Sequence, residues 1–260
     1  MEYIIGKQNI EIYRTLLWRS LKRKYKGSML GFAWVLLHPA LTSLVLYTVF
    51  FLLLGRKEEY FMLFLLSGLL PWNFLVNGTM NMMSSMRSNA GLIRSVQCPR
   101  IIFPMVMLGA TLTEFFAVLV LIPPFYFFYN FTVPPQILLL PLIIILNITS
   151  MIGLGLILSL ISVYFRDIHF VIQTLFRLLF FLSPVFYPIY RIPSEYLNFY
   201  LLNPAASLLT LYRWCLMGET SVSSFLPWPY IWLLIAESFC IMLAGIFVFR
   251  KYENTMIKLL

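Results

Sequence analysis

Phe32-Ala33-Trp34-Val35-Leu36-Leu37-His38-Pro39-Ala40-Leu41-Thr42-Ser43-Leu44-Val45-Leu46-Tyr47-Thr48-Val49-Phe50-Phe51-Leu52-Leu53-Leu54 decides the fold class. At about 1.5 Å per residue, a helix of this length crosses the hydrocarbon core of a bilayer. Five more apolar runs follow, over about 60–84, 104–128, 136–163, 168–190 and 229–249. Polar or proline-rich stretches separate them: Gly55-Arg56-Lys57-Glu58-Glu59, Arg87 to Pro104, and Val133-Pro134-Pro135. A seventh run, about 204–217, is too short to span and reads as a re-entrant or interfacial segment. The expected fold is an all-α membrane protein with six transmembrane helices. Residues 1–31 form a cytoplasmic amphipathic interface helix, 32–252 the membrane domain and 253–260 a cytoplasmic tail.

Composition agrees with a chain that lives in lipid. Of 260 residues, 61% are hydrophobic and only 11% charged, against roughly 45–50% and about 25% in soluble domains. Too few charges are present to cover a water-exposed surface. The net charge of +9 therefore points to a cation-rich membrane face rather than to nucleic acid. Cys98, Cys215 and Cys240 are too scattered for a disulfide framework or a metal site. The first 27 residues are polar and basic, so no cleaved signal peptide is expected.

Orientation follows from the cations. With the N-terminus inside, the cytoplasmic side collects Lys7, Arg14, Arg19, Lys22, Arg23, Lys24, Lys26, Arg87, Arg94, Arg100, Arg166, Arg250, Lys251 and Lys258. The far side holds Arg56, Lys57, Arg191 and Arg213, and Arg177 lies inside a span. That 14-to-4 split among 19 cations places both termini in the cytoplasm. In the segment before the first span, Ile10, Tyr13, Leu17, Trp18, Leu21 and Tyr25 share one helical face. Glu11, Arg19, Lys22, Arg23 and Lys26 share the other, with Arg14 and Lys24 flanking the apolar stripe. Such a helix lies in the membrane interface with its cations on anionic headgroups. It can equally serve as a docking element for a cytoplasmic partner.

Catalytic groups are scarce. The chain has two histidines, His38 and His169, and a single aspartate, Asp167. It contains no metalloprotease pairing, no Gly-x-Ser-x-Gly and no Gly-x-x-x-x-Gly-Lys-[Ser/Thr] phosphate loop. No enzymatic activity, cofactor or metal is expected on this chain. Three charges, Glu114, Arg177 and Glu237, fall within spans. Each must be paired or face a polar cavity. Either they serve a pore or conformational latch, or they form a structural pair such as Glu114 with Arg177. Aromatic residues, 17% of the chain, crowd the external third. They form an interfacial belt or line a passage in which sugar rings stack.

Several segments, read in order, resemble one family. They are Lys24-Tyr25-Lys26-Gly27-Ser28-Met29-Leu30-Gly31-Phe32-Ala33-Trp34 with His38-Pro39, Gly68-Leu69-Leu70-Pro71-Trp72, and Asn89-Ala90-Gly91-Leu92-Ile93 with Cys98-Pro99-Arg100 and Pro104. Tyr164-Phe165-Arg166-Asp167-Ile168, Ser183-Pro184-Val185-Phe186-Tyr187-Pro188, and Asn203-Pro204 with Tyr212-Arg213 complete the set. Together, over about 15–252, they resemble the transmembrane subunit of ABC-2 type polysaccharide exporters, which move O-antigen, capsule or teichoic acid.

The resemblance implies a homodimeric permease in the bacterial inner membrane, served by two copies of a separate ATPase that binds ATP and Mg. It implies a polysaccharide cargo, in many members linked to undecaprenyl diphosphate. A coupling segment at Arg87–Arg100, with Arg87, Asn89, Leu92, Arg94 and Arg100, would meet the ATPase, joined by Arg166 and Asp167. Arg14, Arg19, Lys22, Arg23, Lys24 and Lys26 would meet lipid headgroups, including an entering lipid diphosphate. Candidates for the glycan path are Tyr47, Phe50, Tyr126, Tyr129, Phe181, Tyr187 and Tyr190. Gly153, Gly155, Pro184 and Pro188 are places to bend or pack closely. Competing readings are a small-molecule ABC-2 permease, a membrane enzyme acting on lipid-linked sugars and a passive channel.

Overall fold

The computed structural model describes residues 7–55, 60–95, 98–218 and 228–257. Arg56, Lys57 and Lys258 of the charge count lie outside the described residues, as do 1–6 and 219–227. Every regular element among the described residues is helical. α1 covers Lys7–Tyr25, α2 Trp34–Tyr47, α3 Phe61–Ser88, α4 Ala90–Ser95, α5 Ile102–Leu119 and α6 Pro123–Phe128. α7 covers Leu140–Tyr164, α8 Ile168–Leu182, α9 Ser194–Leu201, α10 Pro204–Met217 and α11 Trp228–Ile257.

Five helical stretches are long and apolar enough to cross a membrane: Gly31–Leu53, Phe61–Ser88, Ile102–Phe128, Pro135–Tyr164 and Ile231–Glu253. In the first, α2 continues into wider π-type turns over Thr48–Leu53. The run over 168–190 behaves differently. Its helix, α8, stops at Leu182, because Pro184 forces the residue before it out of the helical region. Ser183 accordingly sits at φ −115°, ψ 151°. The run over 104–128 is likewise divided, α5 ending at Leu119 and α6 starting on Pro123.

α3 is the central post. Of its most apolar window 78% is buried, against 11% for the first stretch and 17% for the last. It packs on α2, α5, α7, α8 and α10. Small residues let the backbones approach, as membrane helices require in the absence of a hydrophobic drive between them. A Cβ on Gly153 of α7 would fall on the Ile241 carbonyl of α11, and one on Gly245 would meet the Gly153 backbone in return. Ser150 and Ser238 hydroxyls bridge the same two helices at 2.9 Å, and the Ser162 hydroxyl donates from α7 to the Met83 carbonyl of α3 at 2.8 Å. Gly153 is therefore a packing site.

α1 lies along α5. Its half-buried residues include Ile12, Tyr13, Leu16, Leu17, Leu21 and Tyr25. Ile10 and Trp18, expected on the apolar face, remain exposed. Gly109 of α5 gives Tyr13 its seat, since any side chain there would strike the phenol. This packing gathers α1, the 87–100 segment and the α7–α8 turn at one end of the bundle, the basic end.

Candidate functional site

At the opposite end the chain turns back into the bundle. Pro204 opens α10, Asn203 caps it by accepting from the Ala205 amide at 3.1 Å, and twelve of its residues are buried. One of them is Arg213, counted above with the external cations and found 2% exposed. Its guanidinium donates to the carbonyls of Val185 and Tyr187 at 2.5 and 3.3 Å and covers the Phe64 ring at 3.8 Å. Those carbonyls belong to the break after α8, so Arg213 holds the broken fifth span in shape. Gly68 leaves the room: a Cβ there would lie 2.5 Å from Arg213 Nη2 and 2.6 Å from the Val185 carbonyl. Asn203 Nδ2 donates to Ser183 Oγ at 3.1 Å, a second tie to the same break.

Around it the aromatic candidates sort themselves. Phe50 stacks on Phe186 at 5.3 Å; Phe181 and Tyr187 flank the same ring at 5.9 and 5.2 Å. The Tyr187 hydroxyl donates to the Phe181 carbonyl at 3.0 Å and meets the Tyr200 hydroxyl at 2.9 Å. Tyr47 stacks on Phe51, and Tyr190 is exposed. Tyr126 does not join them. It is buried, with its hydroxyl on the Leu216 carbonyl at 2.6 Å, an internal tie. Tyr129 packs with Tyr60 and Phe125 in a separate group.

α8, like α1, has no buried residue. One side, with Phe176 and Phe180, meets Trp72 of α3 at 6.4 and 5.8 Å. Val171, Leu175, Leu178 and Leu182 form an exposed apolar stripe. His169, Gln173 and Arg177, four apart, make a polar row next to the Phe176–Phe180 side and away from the stripe, and Gln173 and Arg177 are exposed. The suggested Glu114–Arg177 pair is not formed. Glu114 Oε1 and Oε2 instead accept from Lys24 Nζ at 2.7 and 2.9 Å, and Oε1 from the Tyr25 hydroxyl at 2.5 Å. Lys24 reaches into the bundle because Gly109 lets α1 lie close to α5. It is thereby tied to the bundle while its side chain stays half exposed. Glu237 is half-buried on α11.

At the basic end, Arg14, Arg19, Lys22, Arg23 and Lys26 are exposed. Four of them, Arg19, Lys22, Arg23 and Lys26, border a groove of about 510 Å³ between α1 and the 87–100 segment, with Asn89, Leu92 and Phe103 on its other wall. In that segment α4 buries Ile93 and exposes Leu92 and Arg94; Arg87 is exposed and Arg100 half-buried. Asn89 is turned inward, its amide donating to the Ser85 carbonyl at 2.8 Å, where it closes the end of α3. Arg166 and Asp167 are exposed on the α7–α8 turn.

Residues 11–217 match the family described as ABC-2 type transporter. The chain belongs to that family. It is similar to the O-antigen export system permease protein RfbA of Klebsiella pneumoniae, 27% identical over 93% of this chain and 92% of that protein. It is 31% identical to the protein of the same name from Myxococcus xanthus over 76% of this chain and 77% of that one. The polysialic acid transport protein KpsM of Escherichia coli is 25% identical over 93% of each. Within this transporter, Arg213, counted with the external cations, turns into the bundle, and Gly68, which faces it, was the available signal. Lys24, set among the headgroup cations, keeps an exposed side chain and also bonds Glu114, a contact that spacing alone does not announce.

Proposed function

We propose that this chain is the membrane permease subunit of an ATP-driven polysaccharide exporter of the bacterial inner membrane. The observation that carries the reading is α8: a charged and amide row in an apolar, membrane-length bundle needs an aqueous passage beside it. The names of the relatives supply the cargo class. Residues with aromatic faces beside that row, Phe50, Phe181 and Tyr187, suit the apolar faces of sugar rings.

Energy enters from another chain. α4 offers a short exposed helix at the basic end, and the cations of α1 border the groove beside it. An ABC ATPase in two copies, holding ATP and Mg, would bind there with Leu92 and Arg94 as contacts and Arg166-Asp167 at the margin. Closure of the ATPase pair would shift α4 and, through α3, the bundle. Both termini lie in the cytoplasm under the positive-inside rule. The same groove is suited to an anionic lipid headgroup such as undecaprenyl diphosphate, with Arg19, Arg23 and Lys26 as its ligands.

The test is co-purification with the ATPase encoded beside this chain, followed by glycan-dependent ATP hydrolysis in vesicles. Complex formation with hydrolysis stimulated by the host glycan is expected. A chain that binds no ATPase overturns the reading. For the groove, the triple variant Arg19→Glu, Arg23→Glu, Lys26→Glu should lose export; retention of full export and ATPase binding removes the groove from the mechanism.

A further inference from the structure

A second cavity, of about 350 Å³, lies between the end of α1, α2, α3 and α5, and none of the roles above uses it. Asn73, Asn77 and Asn81 line it from α3, one per turn. Asn81 Nδ2 donates to Thr111 Oγ1 at 3.0 Å, whose own proton goes to the Met107 carbonyl. Asn73 is half-buried and Asn77 exposed, and neither amide has a hydrogen-bond partner among the described residues. Asn77 sits near the middle of the Phe61–Ser88 helix, where bare hydrocarbon would leave its amide unsatisfied. This space must therefore hold water or a polar ligand.

The remaining walls select the ligand. Lys24 and His38 are the basic side chains of the cavity, and Glu114 neutralises Lys24 at 2.7 Å. The Lys24 charge is thus already matched and is not left for a phosphate. The site offers amides and hydroxyls that both donate and accept, a carboxylate, and aromatic surfaces: Phe74 and Phe115, stacked at 4.2 Å, and the exposed Trp34. Hydroxyls that donate and accept, on a ring with an apolar face, answer all three features. A cavity of this size accepts a small ligand.

We infer that the Asn73–Asn77–Asn81 cleft binds an uncharged sugar unit at membrane depth, before the glycan enters the path beside α8. The inference rests on the exporter reading for the source of the sugar, and its test does not.

Asn77→Cys is placed in a chain whose Cys98, Cys215 and Cys240 are alanine, in nanodiscs with its ATPase where that co-purifies and alone where it does not. Modification by a water-soluble methanethiosulfonate is timed with octyl glycosides of glucose, galactose, mannose and rhamnose, with octyl phosphate and with octanol. At ten times its half-protecting concentration, at least one glycoside should slow modification about tenfold, while octyl phosphate and octanol leave it unchanged. A thiol in the Asn77→Cys variant that stays unmodified would mean a dry cavity and overturn the inference. Modification that no glycoside slows would mean a water-filled cleft only, and equal protection by octyl phosphate would make it an anion site; both overturn it as well. Asn73→Cys serves if the first variant is not monodisperse. The exporter reading fails separately, through absence of the ATPase complex, whichever way protection falls.

Discussion

Arg213 shows how one buried charge is made tolerable. Its guanidinium is spent on two carbonyls of the turn after α8 and on the Phe64 face, and Gly68 provides the volume. Lysine cannot reproduce that planar fork. Arg213→Lys should destabilise the protein by about 1.5–3 kcal/mol, the range for hydrogen bonds to charged groups. Gly68→Ala should cost about 1–3 kcal/mol by overpacking. Thermal unfolding in detergent checks both, and unchanged Tm values would remove Arg213 as the clamp. The Lys24–Glu114 pair is asymmetric: the Lys24 side chain is 53% exposed and that of Glu114 12%. Lys24 can retreat to water when its partner is lost; Glu114 cannot. Lys24→Met should therefore lower Tm more than Glu114→Gln, with the double variant recovering part of the loss. Burial, then the bond to Glu114, pushes the Tyr25 phenol above its ordinary 10.0. A raised value means that this contact is intact below about pH 10 and weakens only as pH climbs through the folded-state value. Neither pair was legible beforehand, since sequence spacing does not say which cation leaves the surface.

At the scale of elements the sequence was more informative, because apolar length and proline act locally. The run at 229–249 lies within α11, that at 60–84 matches α3 to within one residue at its start, and that at 136–163 enters α7 through a 3-10 turn over Pro135–Leu139. In the run over 168–190, hydropathy is continuous but the helix ends at Leu182, at Pro184, one of the two prolines marked as places to bend. The faces of α8 were also hidden, because a helix whose polar row borders a passage reads as an imperfect span. Cysteine scanning tests those faces. Gln173→Cys and Arg177→Cys should react with a water-soluble thiol reagent at least about tenfold faster than Val171→Cys or Leu178→Cys, whose side chains face an apolar medium that disfavours the thiolate and excludes the reagent. Equal rates along the helix would mean that no aqueous passage runs beside it. The α7–α11 crossing gives a second check. Gly153→Leu should prevent assembly, because Ile241 backbone occupies the space a side chain needs; a folded, monodisperse variant would place that contact elsewhere.

The whole molecule leaves one side unfinished. α3 is enclosed by α5, α7 and α10, but α2 and α8, which flank it and whose following segments meet in the Phe50–Phe186 stack, keep large apolar faces exposed: Leu41, Leu44 and Val45 on α2, Val171, Leu175 and Leu178 on α8. Lipid could cover those faces, yet it would not solvate Gln173 and Arg177 on another face of α8. A second copy related by a two-fold axis would do both, bringing two polar rows together around one aqueous passage while their apolar stripes seal it. The aromatic cluster at the far end would then frame the mouth, and the two α4 helices would lie on one face, spaced for a paired ATPase. This arrangement makes a discriminating prediction. In the cysteine-free chain, Leu175→Cys should form an intermolecular disulfide-linked species of twice the chain mass on mild oxidation in native membranes. Phe239→Cys, exposed on α11 at the other side, should remain monomeric under the same conditions. Cross-linking through α11 with none through α8 would move the two-fold axis to the opposite face, and the polar row of α8 would then have to be hydrated within a single chain.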